Sequence, residues 1–103
     1  MRRSPSDATV HRVPALKVVL THPDDLPTEA VLHAVRPWTP SSDAVVTTED
    51  VAPAGYDYLL EVHGVLSVLE VWSAWRGGRV PTPEECAEAV IHYAERDAYL
   101  PVT

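Results

Sequence analysis

The sequence predicts an α+β domain: a small antiparallel sheet of about three strands, with two C-terminal amphipathic helices on one face and a short N-terminal helix. Three observations lead there. Tyr56–His63 (YDYLLEVH) alternates apolar and polar residues with the period of a half-buried strand. From Gly64 onward the period changes, and Val65, Val68, Leu69, Trp72 and Trp75 recur at helical steps. Finally, Thr82-Pro83-Glu84-Glu85 reads as a helix start, with a capping threonine, a proline at the first helical position and a glutamate that completes a capping box.

The elements follow in order. Residues 1–12 are polar and aperiodic and read as a flexible tail, which leaves residues 13–103 as one domain. Pro14, Leu16, Val19 and Leu20 suit a short helix, with a strand as the alternative because Val18 and Val19 are β-branched. Pro23-Asp24-Asp25-Leu26-Pro27 breaks either one. Residues 30–35 form a first strand with Val31, His33 and Val35 on one face, and residues 44–48 form a second beyond the turn-rich Pro37–Asp43. In the third strand, 56–63, Tyr56, Tyr58, Leu60 and Val62 point to one side, and Asp57, Leu59, Glu61 and His63 point to the other. Gly77-Gly78 stops the tryptophan-bearing helix, and Arg76 favours the negative end of its dipole. The last helix runs to about Arg96 and buries Cys86, Val90 and Tyr93. These helices cover one side of the sheet, so a polar face carrying Asp57, Glu61 and His63 is left open.

Composition narrows the function classes. A chain of 103 residues with 46% hydrophobic content can bury a core without metal or disulfide, and the single Cys86 has no internal partner. The net charge of −7 repels nucleic acid, and it stays acidic with all five histidines protonated. No apolar run approaches a membrane span and the first residues do not resemble a secretory signal, so the expected location is the cytoplasm. Arginine outnumbers lysine seven to one, a bias shared with GC-rich bacterial genomes.

Several stretches together resemble a family of small bacterial proteins without an assigned activity. They are Asp24–Pro27, Arg36-Pro37-Trp38-Thr39-Pro40-Ser41-Ser42-Asp43-Ala44, Tyr58–Val62, Val68–Trp72 and His92-Tyr93-Ala94-Glu95-Arg96-Asp97-Ala98-Tyr99. The resemblance spans roughly residues 15–101. It implies a compact domain and, since some domains of this size accompany toxin or defence genes, a neutralising role. It carries over no site residue.

The candidate chemistry is sparse. Phosphate-binding glycine loops, nucleophile elbows and Cys-x-x-Cys pairs are missing, which weighs against an enzyme, and no catalytic residue or cofactor is expected. Glu88, His92 and Glu95 share one helix face and read first as surface ion pairs. Cys86, with Glu84, Glu85 and Glu88 beside it, reads as an inert buried thiol. The leading expectation is an acidic protein-binding or regulatory module, immunity-like in neutralising a basic partner, with Trp38, Asp57, Glu61, His63, Glu84, Glu85 and Glu88 as candidate contacts. One alternative is a metal-binding protein or metal-dependent enzyme using His33, Glu61 and His63. The other is a structural homodimer paired through strand edges or Trp75.

Overall fold

The computed structural model describes residues 14–49 and 51–101, so the expected tail at 1–12 lies outside the described residues. One helical turn, α1 (Leu16–Val19), and a 3₁₀ turn (Pro23–Asp25) precede three strands: β1 (Val31–Ala34), β2 (Ala44–Thr47) and β3 (Asp57–Glu61). Two helices follow, α2 (Val62–Ala74) and α3 (Pro83–Arg96). The sheet has the order β2-β1-β3 and both pairings are antiparallel, so the fold is α+β as the patterning predicts. No helix among the described residues is long and apolar enough to cross a membrane.

Helix α3 has a complete capping box. The Glu85 amide donates to Thr82 Oγ1 at 3.1 Å and the Thr82 amide donates to Glu85 Oε1 at 2.9 Å, with Pro83 in the first turn. Two donors that an isolated helix end leaves unpaired are thereby satisfied. Thr82→Ala is therefore expected to cost about 1 kcal/mol, read as a lowered urea midpoint at unchanged m-value. A loss below about 0.3 kcal/mol would show that the box contributes little.

Helix α2 begins two residues earlier than its periodicity indicates. Strand β3 ends at Glu61, Val62 opens the helix, and the Val62 amide donates to Ala30 O at 2.9 Å. The expected strand over 56–63 is thus shortened, and His63 lies on a helix. At the other end Gly77 and Gly78 have φ of 70° and 86°, a region open to glycine without strain, and the Gly78 amide reaches back to Ser73 O at 2.8 Å.

A second difference lies within β3. Its register against β1 shifts between Leu32 and His33, where Leu32 pairs with Leu60 but His33 pairs with Tyr58. This bulge inserts one residue and defeats strict alternation. Leu59, expected on the outer face, is buried, whereas Tyr58, expected inside, is half exposed.

The core joins Leu32, Ala34, Ala44 and Leu59 of the sheet to Leu16 of α1, the Val65–Val68–Leu69–Trp72 stripe of α2, and Cys86, Ala87, Ala89, Val90 and Ile91 of α3. The opposite sheet face is not the open polar surface that the alternation implies. All four residues of the central strand β1 are buried, and His33 is 0% exposed. Asp57, Glu61 and His63 do not share that face. Asp57 is ion-paired to Arg36 across 3.4 Å, Glu61 closes β3 at the N-cap position of α2 without a side-chain capping bond, and His63 belongs to α2.

Candidate functional site

The loop between β1 and β2 is held by its own side chains. The Thr39 amide donates to Ser42 Oγ at 2.8 Å, Ser42 Oγ donates to Pro37 O at 3.1 Å, and the Ser41 amide donates to Thr39 Oγ1 at 3.2 Å. Trp38 is turned inward by this arrangement. Its indole Nε1 donates to Ala34 O at 3.1 Å, and the Arg36 guanidinium stacks 3.8 Å above the ring. Only 9% of the residue is exposed, and it belongs to the hydrophobic core.

The remaining edge of Trp38 walls a groove of about 380 Å³ running between this loop and α3. Pro40, Ile91 and Leu100 supply further apolar walls, and Glu88, His92, Glu95 and Arg96 supply the charged and polar rim. Their shared helix face follows from the spacing of three and four residues. Beyond Leu100 lies a second hollow of about 530 Å³, with Trp72, Arg76, Arg79 and Glu85 around it. Glu88 and Leu100 border both hollows.

Two guanidinium groups meet over Trp72, Arg76 at 4.3 Å and Arg79 at 4.7 Å from the ring centre. Arg79 also makes a forked pair with Glu85, at 3.3 and 3.1 Å. That pair, together with the Thr82 amide, holds the Glu85 carboxyl below the usual carboxylate range. Glu85 is thus engaged within the chain, and the freely exposed carboxylates of the candidate acidic face are Glu84 and Glu88, with Glu95 two turns beyond.

The histidines are dispersed. His33 Nε2 lies 3.0 Å from Thr47 Oγ1, and Thr47 Oγ1 donates to Glu49 O at 3.1 Å. The threonine's single proton is committed to that carbonyl, so its oxygen accepts from His33 Nε2–H. His33 Nδ1 is then an unprotonated, buried acceptor with no partner. The Tyr58 ring closes edge-on over the imidazole, with centroids 6.3 Å apart. His63 instead borders a shallow hollow with Asp24 and Glu70. The three residues of the metal alternative, His33, Glu61 and His63, are not brought together: the His33 nitrogen facing β2 is occupied, and His63 sits on a separate element. Among the described residues no three His, Cys, Asp or Glu side chains gather closely enough to hold a metal ion.

Cys86 is 3% exposed, and burial, reinforced by Glu85, pushes its thiol up to about 11. At neutral pH it stays protonated and is a poor nucleophile. Sequence reasoning missed Ile91 and Leu100 as groove walls and Arg76 as more than a dipole partner. Arg76 meets Leu100 across 24 positions, a separation at which no local pattern operates.

Comparison with known proteins adds no relative: no family model, curated protein or solved structure matches the chain.

Proposed function

We propose that this protein is a small acidic protein-binding module that seats a basic, apolar-anchored segment of a partner protein in the groove between the Trp38–Pro40 loop and α3. The supporting observation is the pairing of an apolar wall, formed by Trp38, Pro40 and Ile91, with a rim on which Glu88 and Glu95 outnumber Arg96. The net charge of −7 extends the same preference over long range, steering a cationic partner toward the surface. The groove's volume falls within the range of ligand-sized clefts and admits a few side chains. The loop behind Trp38 is ordered before binding, so little conformational entropy is lost on association. Neutralisation of a basic enzyme, in the manner of an immunity protein, is the biological role that fits this chemistry.

A blocked, fluorescein-labelled peptide of alternating leucine and arginine serves as the probe. Binding is expected to weaken as salt rises from 50 to 300 mM, and Glu88→Lys with Glu95→Lys is expected to weaken it on the order of tenfold. Equal affinity for the native and charge-reversed proteins would rule out the acidic rim as the recognition element.

A further inference from the structure

The last described residues, Asp97–Pro101, leave α3 and turn back across the groove. Asp97 takes a left-handed conformation, φ 55°, and its amide donates to Tyr93 O at 2.7 Å. Beyond it, the hydrogen bonds found among the described residues come from one side chain. Arg76 Nη2 donates to Leu100 O at 3.3 Å and to Pro101 O at 3.2 Å, while Nη1 is anchored on Trp72 O at 3.0 Å. Tyr99 is held by ring contacts, 5.2 Å from Tyr93 and 5.9 Å from the half-exposed Trp75. In this position Leu100 forms a wall of both hollows and divides what would otherwise be one trough along α3.

We infer that Tyr99–Pro101 is an internal, displaceable occupant of the trough, latched by Arg76, and that a partner segment enters by taking its place. The inference rests on the groove being the binding site and adds its regulation. The strap also indicates what form the incoming segment takes. It is extended, offers consecutive backbone carbonyls to Arg76 Nη2, and places an apolar side chain where Leu100 now sits. Arg76 Nη2 carries two N–H groups, one for each carbonyl, while Nη1 stays anchored on Trp72 O. The strap competes with the partner, so the apparent affinity is lowered by the fraction of molecules in which the strap is in place.

Two measurements on the full chain test this. The first is the {¹H}–¹⁵N heteronuclear NOE of Ala98, Tyr99 and Leu100, which reports strap mobility without any ligand. Arg76→Met is expected to drop these values toward those of a free terminus; unchanged values would overturn the latch. The second is affinity for the leucine–arginine peptide, expected to rise about tenfold in Arg76→Met. Leu100→Ala, which keeps Arg76 and removes the occupying side chain, is expected to raise it as well and guards against a folding defect in the first variant. A released strap with unchanged affinity in both variants would refute displacement. A peptide that binds none of the three proteins would refute the groove as binding site and displacement with it, while the NOE values still decide the latch.

Discussion

Replacing Trp38 with alanine is expected to lower stability by about 3–5 kcal/mol, the usual range for deleting a buried tryptophan. The side chain is 9% exposed, packs in the same core as Leu32, Leu59 and Trp72, and carries the stacked Arg36 guanidinium. Its loss leaves a cavity and an unpaired Ala34 carbonyl that now accepts the indole proton at 3.1 Å. Small domains are stable by about 5–15 kcal/mol, so the variant would sit near its unfolding threshold at room temperature. Trp38→Phe separates the two contributions: it fills most of the volume and forfeits the hydrogen bond, an expected loss of about 1–3 kcal/mol. Urea denaturation of both variants is the measurement. Trp38→Ala within about 0.5 kcal/mol of the native protein would mean that the indole is a surface anchor, not part of the core. Because the same ring walls the groove, a binding defect in Trp38→Ala could not be read as a lost contact, which is why the charge reversals use Glu88 and Glu95.

Acidification is expected to destabilise the fold before its carboxylates titrate, through His33. Burial lowers the folded-state pKa of this imidazole from the ordinary 6.5. Protonation would place a proton on Nδ1, a buried atom with no acceptor. The unfolded chain takes up that proton near pH 6.5 and the folded chain does not, so below that pH the unfolded state binds more protons and stability rises with pH. The contribution is complete above pH 6.5 and is lost as pH falls from there toward the depressed folded value. The slope reaches at most about 1.4 kcal/mol per pH unit. Of the titratable neighbours, Tyr58 closes over the ring, and its hydroxyl is raised above 10.0 by burial and by Glu61, so it stays neutral throughout this window. His33→Gln keeps an amide donor for Thr47 and cannot titrate. Thermal or urea unfolding between pH 7.5 and 5.5 should therefore show a steeper loss in the native protein than in His33→Gln. Parallel curves for the two proteins would refute the assignment.

The Thr82–Glu85 capping box, the Val65–Trp72 stripe and the Gly77-Gly78 stop are legible in the sequence because each depends on residues within a few positions of one another. The same holds for the Pro14–Leu20 turn and for the location of three strands between proline- and glycine-rich breaks. The faces of β3 are not legible in this way. Alternation puts Leu59 outside and Tyr58 inside, and the bulge opposite Leu32 and His33 reverses both. In the groove, Glu88, His92 and Glu95 are recognisable as one helix face from spacing alone. Their apolar counterparts Trp38 and Leu100 come from a loop 50 residues earlier in the chain and from a strap folding back over the helix.

By itself, then, the sequence determined the α+β class, the capped and amphipathic C-terminal helices, the inward preference of the Val65–Trp72 stripe and the net negative charge. Tertiary structure alone decided that His33 is sealed beneath Tyr58, that Glu85 is bound by Arg79, and that Arg76 holds Leu100 across the trough. The physical reason is range. Caps, turns and periodicity are energies of neighbouring residues, whereas burial of a polar ring or the reach of a guanidinium depends on which distant segments the packed core brings together.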